Sequence, residues 1–312
     1  MGRTAIIFPG QGAQTVGMGR DVAEAHPAAR SVFEQADRLL GFRLSDLCFE
    51  GPAERLNATD ISQPAILVTS VAIWQALEAL GHTARWAASA MAGLSLGEYT
   101  ALHLGGWMEF ADCLKLVATR GRLMQAAAEA NPGGMVSIIG LDEETVQKLC
   151  DEAAGDGILV PANYNSPGQT VISGSRPACE RAVGLAEKYG GRAVPLAVAG
   201  AFHSPLMESA ARGLTGPLAS TPLVRGPTGV VSNVTGDYHA APDAVRRLLG
   251  EQVVRPVRWQ TSIERLVADG YDRFIEVGPG RVLTGLVRKI HRAAKTVNVS
   301  TAAGVEQAAA EG

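Results

Sequence analysis

The chain has 312 residues, 46% of them hydrophobic and 19% charged, with a formal net charge of −3. That length and apolar content allow one large domain, or two smaller ones, around a sizeable core. The near-neutral balance excludes a strong electrostatic case for nucleic acid or an anionic membrane, and there is no run of 18 apolar residues to span a bilayer.

Met1 to Thr4 runs straight into an apolar strand, Ala5 to Phe8, without the long apolar core of a signal peptide. Pro9-Gly10-Gln11-Gly12-Ala13-Gln14 follows as a glycine-rich loop. It is neither a P-loop nor a full G-x-G-x-x-G. A loop at the carboxyl end of a strand is nonetheless where open α/β sheets place ligand contacts, and its glycines would let the main chain of Gln11 approach a substrate oxygen. Helical spacing then predicts one amphipathic helix over Asp21 to Leu40 and a second, apolar nearly all round, over Ser62 to Leu80.

Ala87 to Ala92 reads as a buried strand, Gly93-Leu94-Ser95-Leu96-Gly97 is a G-x-S-x-G, and Glu98 to Leu104 has the composition of a helix. Strand, glycine turn and helix form the context of a nucleophile elbow. Any Cβ at 93 or 97 would crowd the turn, and the helix aims its free N–H groups at the serine. The competing explanation is a glycine-flanked serine in an ordinary turn. Glu109 to Ala128 is another helix.

From Met135 the pattern changes. Strands at Met135–Gly140, Ile158–Asn163, Gln169–Ser173 and Arg192–Leu196 alternate with helices at Asp142–Ala154 and Pro177–Tyr189. The order β-α-β-β-α-β is ferredoxin-like, and about 60 residues suit a small subdomain. The fold class expected is α/β: a hydrolase-like large domain with a mostly parallel sheet, residues 1–131 and 198–312, carrying an inserted small domain, residues 132–197. Further expectations are helices at Pro205–Leu218, Ala241–Gly250, Val257–Asp269 and Arg281–Arg292, strands at Gly229–Asn233 and Tyr271–Val277, and a fraying tail from Thr301.

Cys48, Cys113, Cys150 and Cys179 form no C-x-x-C pair, so a zinc knuckle and a redox motif are both excluded. They read as buried, reduced thiols of a cytoplasmic protein.

A serine hydroxyl needs a base. Of the six histidines, His26 and His82 sit at helix ends, His103 lies two turns down the helix from Ser95, His239 is beside a turn and His291 is in a basic helix. His203 remains, in a loop after an apolar strand, fixed by Phe202, Ser204 and Pro205. No acid between 95 and 203 occupies a distinctive strand-end loop, so either the acid comes later or a neutral acceptor, such as a backbone carbonyl, orients the imidazole. Arg120 shares its helix face with Leu116, Val117 and Met124, and a guanidinium there must pair with something. An internal Asp or Glu and a substrate carboxylate stand equally, the planar fork suiting the latter better than lysine would.

Together these blocks resemble the malonyl-CoA:acyl carrier protein transacylases, acyltransferases of fatty-acid and polyketide synthesis. The resemblance runs through Phe8-Pro9-Gly10-Gln11-Gly12, Gly93 to Glu98, Thr119-Arg120-Gly121, Asn163 to Gln169, Ala201-Phe202-His203-Ser204 and Glu276 to Gly280. It implies ping-pong transfer of malonyl from malonyl-CoA to the phosphopantetheine thiol of acyl carrier protein. Ser95 would be the nucleophile, His203 the base, and the N–H groups of Gln11 and Leu96 the oxyanion hole. The carbonyl of Gln252 would orient the histidine, Arg120 would hold the malonyl carboxylate, and Asn163 would lie near the histidine. Phe202 would disfavour a methyl on the α-carbon. The family's commoner elbow has histidine where this chain has Leu94, and leucine is also familiar there. No cofactor or metal is implied, and the enzyme is expected as a cytoplasmic monomer without nucleic-acid or membrane partners. Arg281, Arg288, Lys289, Arg292 and Lys295 are candidates for meeting an acidic carrier protein, against a plain solvated face. The alternatives are an acyltransferase acting in trans on a polyketide pathway, a thioester hydrolase on the same elbow, and a carrier-binding scaffold without turnover.

Overall fold

The computed structural model describes residues 3–86 and 90–308. The first three residues of the strand expected at Ala87–Ala92 lie outside the described residues.

The first half of the chain lays down the elements that surround the elbow. Strand β1 (Arg3–Phe8) is followed by α1 (Arg20–Ala25), α2 (Pro27–Leu40), α3 (Leu44–Glu50), α4 (Ala53–Asn57) and α5 (Thr59–Ala79). The single helix expected over Asp21–Leu40 is therefore two. Pro27 forces the residue before it out of the helical region, and His26 is extended at φ −122°, ψ 112°. Helix α5 is buried almost all round, as its composition requires. Strand β2 (Ala90–Gly93), α6 (Leu96–Leu104) and α7 (Phe110–Ala130) complete this half.

A second unit begins at β3 (Gly133–Ile139) and continues through α8 (Glu143–Ala154), β4 (Leu159–Ser166), β5 (Gln169–Ser175), α9 (Arg176–Leu185) and β6 (Arg192–Pro195). The chain returns through α10 (Glu208–Ser220), α11 (Pro242–Gln252), α12 (Trp259–Ala268), β7 (Tyr271–Val277), α13 (Val282–Ile290), β8 (Lys295–Val299) and α14 (Ala302–Gln307).

The strands form two sheets. One has the order β2-β1-β7-β8, every pair parallel. From Ala5 to Phe8 strand β1 is buried on both faces: Ile6 and Phe8 enter one apolar cluster, Ala5 and Ile7 the other. Period-2 side chains on a sheet covered on both faces leave no polar side, which is why Ala5 to Phe8 reads as an unbroken apolar run. The other sheet has the order β4-β5-β3-β6, all antiparallel, and packs α8 and α9 on its own core of Val136, Ile138, Leu149 and Ile172.

Two further expectations need correction. Gly229–Asn233 is not a strand: it joins the parallel sheet only through the bridge of Val230 to Met91, while Val231 pairs with Tyr238. The tail does not fray at Thr301 but is ordered through residue 308, and the last four residues of that expectation lie outside the described residues. The Thr301 hydroxyl accepts from the Gly304 N–H, capping α14, and Val305 is buried. The four cysteines are buried and free, and burial pushes the Cys48 and Cys150 thiols up to about 12. Among the described residues no helix is long and apolar enough to cross a membrane.

Candidate active site

Three loops leave the carboxyl ends of the parallel strands and converge: Pro9 to Gln14 after β1, the elbow after β2, and Gly278-Pro279-Gly280 after β7. The elbow is sterically closed. Ser95 has φ 53°, ψ −103°, and a Cβ on Gly93 would lie 1.9 Å from the Gly97 carbonyl carbon. A Cβ on Gly97 would lie 2.2 Å from the Phe8 oxygen. Only glycine permits the crossing of β2 and α6 beside β1. The Glu276 carboxylate accepts the N–H groups of Leu283 and Thr284 at 3.1 and 2.9 Å. It thereby seats α13, whose Val282, Leu283 and Leu286 form one wall of the cleft over Ser95.

That cleft has roughly 250 Å³ of room and lies between the two units of the chain. Gln11, Leu94, Ser95, Asn163, Phe202 and His203 all line it. The second unit is fastened here by β4: the Tyr164 N–H donates to the Val257 oxygen at 2.9 Å, and the Val257 N–H donates to the Ala162 oxygen at 2.8 Å.

The Ser95 hydroxyl lies 2.8 Å from His203 Nε2. His203 Nδ1 lies 2.7 Å from the main-chain oxygen of Gln252. A carbonyl only accepts, so Nδ1 carries the proton and Nε2 is left to accept from the serine. His203 is itself held at φ 57°, an uncommon conformation for a side-chain-bearing residue. Burial, with Arg120 adding repulsion, lowers its pKa from 6.5 to about 4. The imidazole is therefore neutral at pH 7, the form a base requires.

Arg120 is 1% exposed and stands behind the serine rather than on the cleft wall. Its Nη2 donates to Ser95 Oγ at 3.0 Å and to Gln252 Oε1 at 2.9 Å, and its Nη1 to Gln63 Oε1 at 2.6 Å. Its Nε is buried and has no hydrogen-bond partner among the described residues. Burial pulls the guanidinium below its ordinary pKa, with Tyr99 and Glu98 acting against that. Of the two partners left open by the sequence, an internal acid is not in direct contact among the described residues: the hydrogen bonds go to two amide oxygens and a hydroxyl, and the guanidinium lies 5.3 Å from the centroid of the Tyr99 ring.

Gln11, which lines the cleft, has its side chain turned to α5, donating to Thr59 Oγ1 at 3.3 Å. Leu96 is the first residue of α6, where an N–H has no partner within the helix. Leu96 is fully buried. Among the histidines set aside, His103 Nδ1 meets the Met108 oxygen at 3.0 Å, away from the serine.

Four residues at the site were not read from the sequence. Asn233 Oδ1 accepts from the Ser95 N–H at 2.6 Å, and its Nδ2 donates to the Gly93 oxygen at 2.8 Å, so one amide spans the elbow. Glu98 is fully buried and its Oε1 lies 2.7 Å from His239 Nε2. Gln63 ties Arg120 towards Gln11. A glutamate in the apolar stretch after the elbow was a legible signal. Asn233, Gln63 and His239 carried none, since their importance lies in partners far away in the chain.

The basic candidates sit at the N-cap of α13, along it and just after it. Arg281, Arg288, Lys289, Arg292 and Lys295 are exposed, and Lys289 Nζ donates to Gln169 Oε1 at 2.9 Å.

The family model described as acyl transferase domain matches residues 5–310. A Bacillus subtilis (strain 168) protein named malonyl CoA-acyl carrier protein transacylase is 42% identical over 310 residues, which is 99% of this chain and 96% of that protein. The Escherichia coli (strain K12) protein of the same name is 44% identical over 292 residues, 93% of each. A solved complex of a type II PKS acyl-carrier protein with its malonyl-transacylase superposes with a TM-score of 0.95 at 40% identity, covering 99% of this chain and 100% of the matched one.

Proposed function

We infer the reaction from one premise: the chain belongs to the acyl transferase domain family. It is a malonyl-CoA:acyl carrier protein transacylase, an acyltransferase that moves a malonyl group from malonyl-CoA to acyl carrier protein. The observation that carries the mechanism is the placing of one hydroxyl, Ser95 Oγ, within hydrogen-bond reach of both His203 Nε2 and Arg120 Nη2.

The steps proposed are these. His203 Nε2 takes the hydroxyl proton as Ser95 Oγ attacks the malonyl thioester carbonyl. The N–H groups of Gln11 and Leu96 receive the oxyanion, one such donor being worth about 3 kcal/mol in the transition state. The C–S bond breaks, the CoA sulfur leaves with the proton from His203, and malonyl remains as an ester on Ser95. The phosphopantetheine thiol of the carrier protein then gives its proton to His203 and attacks the ester. Ser95 recovers its proton as its oxygen leaves. No acid is needed behind the histidine, because the Gln252 carbonyl fixes the tautomer and the thioester is already activated.

Arg120 is read as the holder of the malonyl carboxylate. It must then exchange one of its present acceptors for that carboxylate, and its unpartnered Nε leaves donor capacity to spare. Phe202 limits the α-carbon, and Asn163 shares the cleft with His203. We read residues 132–197 as an inserted ferredoxin-like domain, on the element order βαββαβ and the sheet order β4-β5-β3-β6. The remainder, 1–131 and 198–312, is read as hydrolase-like. The basic face around α13 is the proposed meeting place for an acidic carrier protein. Four buried free thiols suit a reducing compartment, and we place the enzyme in the cytoplasm as a monomer that needs no cofactor or metal.

The test is intact mass after brief exposure to malonyl-CoA. One malonyl group should be gained, lost again on adding carrier protein with its phosphopantetheine arm, and never gained by Ser95→Ala. Turnover with water as the only acceptor, at a rate matching that with carrier protein, would make it a hydrolase instead.

A further inference from the structure

Behind the serine and histidine lies a second layer of polar groups that the transfer steps do not use. Glu98, on the first turn of α6, is fully buried. Its Oε2 accepts from the Asn233 N–H at 3.0 Å and from Gln252 Nε2 at 2.7 Å, and its Oε1 meets His239 Nε2 at 2.7 Å. The main-chain N–H and the amide N–H are donors by nature, and His239 is suited to donate as well. Glu98 thus serves as acceptor throughout, as a carboxylate does.

The Gln252 side chain lies between this carboxylate and Arg120. Its Oε1 faces the guanidinium at 2.9 Å and its Nε2 faces Glu98. The amide dipole thus points its oxygen at the cation and its N–H at the anion, the orientation both charges favour. The main chain of the same residue holds His203, and Gln252 Nε2 also donates to the main-chain oxygen of Ser95 at 3.0 Å. Among the described residues, Glu98 is the carboxylate whose charge supports the charged form of Arg120. A buried guanidinium without a counter-charge is costly, and here the counter-charge arrives through one intervening amide.

We propose that Glu98 is the counter-charge of Arg120, relayed by the Gln252 amide, and that Glu98 with His239 is a positioning pair for acyl transfer. This rests on the malonyl-transfer reading of the same site. It has a consequence for selectivity. Malonyl-CoA brings its own carboxylate to Arg120, and acetyl-CoA brings none. Removing the charge of Glu98 therefore leaves Arg120 uncompensated with acetyl-CoA, but compensated by the substrate with malonyl-CoA.

Glu98→Gln separates charge from shape. The new amide oxygen can take both donors now on Oε2, and the new amide N–H can face His239. Among the described residues His239 Nδ1 is buried without a partner, so the ring proton can move from Nε2 to Nδ1 and free Nε2 to accept. The experiment measures kcat/KM for malonyl-CoA and acetyl-CoA with wild type, E98Q and E98D. The malonyl-to-acetyl ratio should rise roughly tenfold in E98Q, as expected for one charge at this range, and stay near wild type in E98D, which keeps the charge. An equal loss with both substrates, or no change in either, overturns the proposal, because a purely architectural role moves both together. If E98Q does not fold, Arg120→Met/Glu98→Gln decides by thermal unfolding: removing both charges should restore a cooperative fold, and failure to do so overturns the pairing. Absence of malonyl transfer by wild type would sink the transfer reading alone, since the unfolding comparison still reports on the charge pair.

Discussion

The guanidinium of Arg120 donates to the hydroxyl of Ser95 at 3.0 Å, although 24 residues and a sheet-to-helix crossing separate them in the chain. The cation is thus held against the oxygen that would carry the acyl group, and not in the mouth of the cleft. A carboxylate one carbon beyond an acyl carbonyl is well placed to compete for it. Arg120→Ala should lower kcat/KM for malonyl-CoA by about 10- to 100-fold, the range of a lost charge-assisted hydrogen bond. Acetyl-CoA should suffer much less. Steady-state kinetics with both substrates check this, and an equal loss would make Arg120 structural.

His203 sets the pH behaviour. Its pKa in the folded protein is about 4 against an ordinary 6.5. The rate of Ser95 acylation should therefore stay level from pH 8 to near 5, and fall by half near 4. Stability moves the same way. The folded pKa is depressed, so the unfolded chain binds the proton first. The contribution is complete above pH 6.5 and is lost as pH falls towards 4, by up to about 3 kcal/mol. Denaturant titrations across that window, compared with His203→Gln, isolate it.

Asn233 holds the elbow at both ends, through the Ser95 N–H and the Gly93 oxygen. Asn233→Ala leaves two buried main-chain groups unpaired, at about 1–3 kcal/mol each. The expected outcome is a lower unfolding midpoint and a larger fall in kcat than in malonyl-CoA affinity. Asn233→Asp keeps the acceptor for Ser95 and should recover part of the rate.

Phe202 is 5% exposed and faces the cleft. Phe202→Ser should raise methylmalonyl-CoA use relative to malonyl-CoA by about 10- to 200-fold, the span a single methyl controls in an apolar pocket. Competition between the two thioesters for Ser95, read by intact mass, measures the ratio directly.

Gly93→Ala tests the elbow itself. The added Cβ would meet the Gly97 carbonyl carbon at 1.9 Å, a main-chain contact no rotamer relieves. Several kcal/mol of destabilisation is expected, seen as a loss of cooperative unfolding in calorimetry.

What the sequence determined on its own is local. Ala5 to Phe8 declares a doubly buried strand by its unbroken apolar run, and Gly93 and Gly97 declare a crossing that only glycine allows. The βαββαβ order from β3 to β6 lies in the periodicities of neighbouring segments. Local chemistry also bounded the helices, and failed where a single residue overrode the pattern, as Pro27 does at His26. The tertiary structure alone decided which distant groups meet. The histidine is oriented by a main-chain oxygen, and any of the chain's carbonyls has the same composition as that of Gln252. Glu98 and His239 are paired across 141 positions, and Asn233 reaches Ser95 across 138. Spacing in the chain carries no record of such contacts, because they form only when the segment 229–239 is brought beside β2.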